Sequence, residues 1–91
     1  MIHAHITDLD LAPDGVLLVK ATCQSCRKTV LHGAGDNLDD LILGHRVAHC
    51  GCGDYELVDP AGLIPARVTI LRAEMAEKAA RLAARAARIA R

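Results

Sequence analysis

A chain of 91 residues with one tyrosine, no phenylalanine and no tryptophan can form one small domain, but its core lacks large side chains. Such a domain buries only about 60–65% of its unfolded surface, so it usually needs a metal ion or disulfides for stability. The formal net charge is zero, and no apolar run reaches the length of about 18 residues that indicates a membrane-spanning helix.

The zero net charge conceals two segments of opposite sign. Residues 1–66 carry four basic and nine acidic side chains, a net charge of −5, whereas residues 67–91 carry seven basic and two acidic side chains, a net charge of +5. This asymmetry predicts that the basic segment binds an acidic partner or folds back on the acidic head. No secretory signal pattern begins the chain, so we expect a cytoplasmic location.

Three strands are predicted in the first third of the chain. Residues 2–12 alternate between apolar and polar side chains, which is typical of a strand with one polar face. The turn sequence Pro13-Asp14-Gly15 separates it from the β-branched, apolar residues 16–22, which we expect to pair antiparallel with the first strand. Residues 28–32 predict a third strand, which places Cys23-Gln24-Ser25-Cys26 at the tip of a hairpin.

The middle of the chain predicts a short helix and one more strand. Residues from about 37 to 48 have apolar side chains at helical spacing after a capping Asp or Asn, and Gly51 is a suitable residue to end the helix. Residues 54–58 alternate and predict a strand that closes the sheet. Residues 60–65 contain two prolines and one glycine and predict a linker.

The last segment, residues 66–91, contains no glycine or proline and predicts a helix of about 37 Å. Apolar side chains recur along it every seven residues, at Val68, Met75, Leu82 and Ile89. The predicted fold is therefore α+β, with a small antiparallel β-sheet, a structural zinc site and a short helix in a head of residues 1–59. The linker 60–65 joins this head to a basic amphipathic helix.

The four cysteines form two clusters separated by 23 residues, Cys23-x2-Cys26 and Cys50-x-Cys52. Pairs of cysteines at this spacing are typical of a tetrahedral zinc site, because each tight turn lets two thiolates approach one ion. Structural disulfides are rare in a reducing compartment. A redox pair is disfavoured, because Cys23 follows a strand and does not begin a helix.

The fourth ligand has more than one candidate. The all-cysteine set of Cys23, Cys26, Cys50 and Cys52 is the most economical for Zn2+. His49 with Cys52, or His45 with either His49 or Cys50, are alternatives that the sequence leaves open. A closed site of four protein ligands holds a fold together and performs no chemistry, so we expect a protein that is not an enzyme.

A second pair of histidines, His3 and His5, shares one face of the first strand and offers two further ligands. Two ligands make a poor metal site, so a polar, solvent-facing strand edge is the favoured interpretation.

The hairpin with Cys23-x2-Cys26 and the later ligands resembles zinc ribbons and zinc-finger-type small proteins over residues 16–58. The resemblance implies a structural zinc ion. The chain departs from the ribbon pattern because its second pair is Cys-x-Cys and because Arg27 stands where a ribbon usually has glycine. We therefore carry over no DNA contacts.

The basic helix suggests three roles. It can bind a protein partner or a second copy of the chain through residues 66–91, bind nucleic-acid phosphates, or lie on the acidic head. We expect a non-enzymatic zinc-binding adaptor or regulatory protein, with nucleic-acid binding as the alternative and neither a membrane nor a small-molecule substrate as partner. The candidate partner-binding residues are Arg72, Lys78, Arg81, Arg85 and Arg88.

Overall fold

The computed structural model describes residues 1–47 and 50–90. These residues form five strands and one helix: β1 (Ile2–Leu11), β2 (Leu17–Cys23), β3 (Thr29–Gly33), β4 (Gly44–Val47), β5 (Asp54–Val58) and α1 (Leu63–Ile89). All five strands join one sheet in the order β3-β2-β1-β5-β4. The predicted α+β class is confirmed.

The central strand β1 determines where the hairpin turns lie. It pairs antiparallel with β2, so that Ala4 lies opposite Cys23, and parallel with β5, so that Ile2 lies opposite Tyr55. The end of β2 and the start of β5 are therefore both beside the start of β1. β3 pairs antiparallel with β2, and β4 pairs antiparallel with β5. The β2–β3 and β4–β5 turns therefore lie at the same end of the sheet.

One face of the sheet forms the core. In β2 every second residue is buried, and in β1 the buried residues are Ala4, Ile6 and Leu9. The step from Ile6 to Leu9 breaks the alternation, because the register shifts between Ile6 and Asp8 and one additional residue is accommodated there. This irregularity keeps the apolar side chains of both halves of β1 on the buried face.

The sheet is strongly curled. His32 on β3 and Tyr55 on β5 are three strand intervals apart, about 14 Å in a flat sheet. Nevertheless, His32 Nε2 and Tyr55 Oη form a hydrogen bond, and the two rings meet edge to face with centroids 5.5 Å apart. The two edge strands also approach each other, because the guanidinium of Arg46 on β4 donates to the carbonyl of Gly33 on β3 at 3.2 Å.

Helix α1 begins at Leu63, three residues before the predicted start at Ala66. Both carboxylate oxygens of Asp59 accept hydrogen bonds at 2.9 Å, one from the Leu63 N–H and one from the Ile64 N–H. A negative charge is favourable at a helix N-terminus. Pro65 is accommodated in the first turn, where its missing N–H would have no partner within the helix.

Only the first part of α1 contacts the sheet. Leu71 is buried, and the Arg67 side chain donates to the Leu9 carbonyl at 3.0 Å and pairs with Asp8 at 3.5 Å. From Arg72 to Ala90 every residue is exposed, and the molecule is 59 Å long but only 22 and 20 Å across. The second half of α1 therefore extends beyond the head. No helix in the described part of the chain combines the length and the apolar character needed to cross a membrane.

The predicted helix at 37–48 is wrong for residues 37–47, and residue 48 lies outside the described residues. Asn37 caps a single turn through its side chain, and the chain then continues without helix to β4 at Gly44–Val47. Gly44 has a φ of 101°, which a right-handed helix does not allow. Leu38, Leu41 and Leu43 pack against the core from a loop, and the backbone of β4 pairs antiparallel with β5.

Candidate metal centre

The four cysteines meet between the two hairpin turns. Their Sγ atoms all lie within 4.8 Å of one another, and none of the four forms a disulfide. Four sulfurs around one ion at a Zn–S distance of about 2.3 Å would be about 3.8 Å apart. The set therefore fits a single tetrahedral metal ion after movements of about 1 Å or less.

The first pair of thiols is held by a tight turn at the end of β2. The Cys23 N–H donates to the Lys28 carbonyl at 2.9 Å, and the Arg27 N–H donates to the Cys23 carbonyl at 2.8 Å. The backbone N–H groups of Ser25 and Cys26 also hydrogen-bond to the Cys23 sulfur. Such bonds favour the thiolate, which is the form that ligates a metal.

The second pair is held by a turn that depends on glycine. Gly51 and Gly53 flank Cys52 and have φ values of 85° and 90°, where a residue with a Cβ would be strained. Gly53 directly follows the last cysteine of its turn, as Arg27 directly follows Cys26. Both turns thus have a residue with positive φ directly after their last cysteine, although the cysteine spacing differs by one residue.

Hydrogen bonds shift the pKa values of two of the thiols in opposite directions. Backbone N–H groups, first of all that of Cys26, lower the pKa of Cys23 to about 7. Hydrogen bonds to the sulfurs of Cys26 and Cys50, together with burial, raise the pKa of Cys52 to about 12. Without a cation the cluster thus favours one thiolate and retains the proton of Cys52. A metal ion would replace that proton as the positive charge between the sulfurs.

We expect metal binding to release protons and to strengthen with pH. At pH 7 the Cys23 thiol is about half ionised and Cys52 is protonated, and both must be thiolates to ligate. Binding therefore displaces at least about 1.5 protons from these two residues. The metal-free protein holds more protons, so the apparent affinity should fall by at least about 30-fold from pH 7.5 to pH 6.5. Competition with a chelator of known affinity at the two pH values measures this ratio, and equal affinities would contradict the thiolate assignment.

Arg27 is the one non-glycine residue with positive φ in the described ranges 1–47 and 50–90, with φ of 66°. This backbone conformation costs about 1–2 kcal/mol for a residue with a Cβ. We expect Arg27→Gly to stabilise the metal-loaded protein by about 0.5–1 kcal/mol, after the greater entropy that glycine loses on folding is subtracted. Arg27→Ala is the matched control, because it removes the guanidinium but keeps the Cβ. Urea denaturation of both variants tests this, and equal stability of the two would show that the turn is not strained.

A buried polar pair lies close to the sulfurs. Tyr55 is 0% exposed, and its pKa is raised first by burial and then by the negative charge of the neighbouring cysteines. Its hydroxyl therefore stays protonated and is available for the hydrogen bond with His32. No local pattern along the chain predicts this pair, because the two residues are 23 positions apart on strands that are not neighbours.

The other candidate residues lie elsewhere or outside the described ranges. His45 is on β4, and its Nε2 is 3.0 Å from a carboxylate oxygen of Asp54. The alternatives that use His49 fall outside the described residues. In the basic helix, Arg72 pairs with Asp39 of the head and Arg81 pairs with Glu77 at 3.3 Å. The other three candidates are exposed. Lys78 lines a cleft with Asp10 and Leu11 of β1, and Arg85 and Arg88 lie farther along α1.

Comparisons with protein-family models, with curated proteins and with solved structures find no match to this chain. The resemblance to zinc ribbons therefore depends on the cysteine cluster and the two hairpin turns, and the cluster itself can hold a metal ion.

Proposed function

We propose that this protein is a non-enzymatic zinc-binding adaptor, in which a zinc ion stabilises the head and the basic helix α1 engages a protein partner. The single observation that carries the proposal is the convergence of the four thiols within 4.8 Å. Four thiolates favour zinc over magnesium or calcium, which prefer oxygen ligands. Four protein ligands leave no position for a substrate, which supports a structural role.

The proposed partner surface runs along α1 from Met75, which lines a cleft with Leu11 and Gly15, to Ile89 near the end of the helix. With about 100° between successive residues, Met75, Leu82 and Ile89 lie along one line of the helix. Their exposed fractions rise from 45% to 55% to 73% along the chain. A row of exposed apolar side chains at helical spacing is typical of helices that bind in a groove of another protein.

Charge defines the two flanks of this apolar row. The basic side chains lie about 40° to 120° to one side of it, and alanines occupy the other flank. This arrangement favours a partner whose groove is apolar at its base and acidic along one edge. The flanking basic residues are Lys78, Arg81, Arg85 and Arg88. Arg72 lies on the opposite side and pairs with Asp39, so we expect it to support the position of α1 on the head.

Two measurements test the proposal. Native mass spectrometry should show at least one zinc ion per chain, and a chain that carries no metal would contradict the structural zinc. A photo-crosslinking residue at Leu82 should capture one protein species in the native cell, whereas the same residue at Ala84, on the opposite face, should not. The crosslink should be lost in a variant with Arg81, Arg85 and Arg88 changed to alanine. Equal crosslinking from both positions would contradict a defined partner surface.

Nucleic-acid binding is the second candidate, and the basic flank is the observation that favours it. If four basic side chains contact phosphates, the logarithm of the binding constant should fall with the logarithm of salt concentration at a slope of about −3.6. A gel-shift series measures that slope. Arg85→Ala should reduce it by about one, whereas Arg72→Ala should leave it unchanged because Arg72 pairs with Asp39. Absence of a shift would exclude this candidate.

A further inference from the structure

The outer face of the sheet carries histidine and glutamate side chains on neighbouring strands. Ala4 of β1 and Leu57 of β5 pair directly and are both buried, so the residues one position away on each strand face outward. His3 pairs directly with Glu56 on this outer face. His5 is two positions after His3 and shares the same face.

The spacing of these three residues suits one cation. The Cα atoms of His3 and Glu56 are separated by about one strand interval, near 4.8 Å, and those of His3 and His5 by about 6.7 Å. The Cα atoms of two histidines and one glutamate thus form a small triangle on one face. Imidazole nitrogen and carboxylate oxygen both ligate zinc, at about 2.0–2.2 Å.

We propose that His3, His5 and Glu56 form a second metal site, here called the outer-face triad, which binds Zn2+ or a similar borderline divalent cation. Three protein ligands leave one position of a tetrahedral ion for water or for a donor atom of another molecule. The outer-face triad therefore differs from the closed cysteine centre, because its ion remains accessible. Exposed Asp54, two residues before Glu56 on the same face, adds negative charge that attracts a cation.

The triad closes by side-chain rotation. Within residues 1–47 and 50–90, the cysteines are the one group whose ligand atoms already lie together. His3 and Glu56 are exposed and His5 is half-buried, so their side chains are free to turn toward a common ion. The backbone beneath them is fixed by the pairing of β1 with β5 and, on the other side of β1, with β2.

His45 provides a matched control. It lies opposite Glu56 on β4, on the same outer face, but its Nε2 is 3.0 Å from a carboxylate oxygen of Asp54. It is also two strands away from His3, on the convex side of a curled sheet. His45 is therefore a surface histidine beside the outer-face triad that does not belong to it.

Zinc titration of the full chain tests the proposal. The cysteine centre is first loaded with one equivalent of zinc, and a second equivalent is followed by calorimetry and by NMR of the histidine ring C–H signals. We expect a second, weaker binding step that shifts the ring signals of His3 and His5. His3→Ala, His5→Ala and Glu56→Gln should each weaken that step by at least about tenfold, since even the loss of an outer-shell partner costs 10–100-fold. His45→Ala should leave it unchanged.

Three results would each contradict the outer-face triad: no second ion binds, His45→Ala weakens binding as much as His3→Ala does, or the ring signals of His3 and His5 do not move. An unchanged first binding step in each variant shows that the head is folded, so that a weakened second step reports the lost ligand alone.

Discussion

Cys23→Ser is expected to unfold the head while much of α1 remains helical. Structural zinc contributes about 10–16 kcal/mol in small zinc domains, or about 2.5–4 kcal/mol for each of four ligands. A domain with so small a core has a total stability near the lower end of the usual 5–15 kcal/mol. The loss of one ligand therefore removes most of it. Cys23 is also 1% exposed, so a serine hydroxyl there would be buried.

Tyr55 provides a signal that reports on the head alone, because it is the one aromatic residue among Phe, Trp and Tyr in the chain. We expect Cys23→Ser to abolish its near-UV circular dichroism. Part of the far-UV helix signal should persist, because α1 has 27 residues and is rich in alanine. Lys28→Ala is the matched control within the same turn, since the Lys28 side chain is exposed and its backbone carbonyl, which accepts from the Cys23 N–H, is retained. A native Tyr55 signal in Cys23→Ser would show that this ligand is dispensable.

Tyr55→Ala is expected to destabilise the zinc-loaded protein by about 3–5 kcal/mol, the cost of removing a large aromatic side chain from a core. Tyr55 is the largest fully buried side chain among residues 1–47 and 50–90, and the substitution also removes the hydroxyl that hydrogen-bonds to buried His32. Urea denaturation at fixed zinc concentration measures the loss.

Two further variants separate the contributions of the ring and the hydroxyl. Tyr55→Phe keeps the ring and should cost about 1–2 kcal/mol, because a buried hydrogen bond is lost. Leu31→Ala, at a side chain that is 56% exposed, should change stability by no more than about 0.5 kcal/mol. If Tyr55→Ala costs no more than Leu31→Ala, the curled sheet does not depend on the contact between β3 and β5.

The sequence predicted the first three strands and the last strand because their side chains alternate along one chain. The positions of β1, β2, β3 and β5 agree with the expected segments to within a residue or two. The long helix was also predicted, since an alanine-rich segment without glycine or proline has a strong local preference. These elements are determined by local patterns that a single sequence reveals.

The segment between β3 and β5 could not be predicted in the same way. Leu38, Leu41 and Ile42 have helical spacing, but tertiary contacts decide the outcome: β4 pairs with β5, and Arg46 bridges to Gly33. The parallel pairing of β1 with β5 is likewise non-local. This pairing brings the two cysteine pairs to one end of the sheet. The spacing of the cysteines indicates a shared metal ion but not the pairing of these two strands.

The candidate ligands show the same division. The four cysteines were identifiable as one group, and the structure brings them together. His45 would share a helical face with His49 only if this segment were a helix. His45 lies on β4, and its side chain contacts Asp54 instead. Glu56, by contrast, becomes a candidate metal ligand only because the strand register pairs it with His3.

The most direct test of the central claim is to remove the metal and return it. A chelator removes the metal and unfolds the head. The chelator and the metal are then separated from the chain, and the chain is refolded with and without one equivalent of zinc. With zinc, the near-UV signal of Tyr55 and a cooperative thermal transition should return. Without zinc, both should be absent, and the helix signal of α1 should remain in part. A metal-free chain that regains the same Tyr55 signal and the same Tm would contradict a head held together by an ion between two hairpin turns.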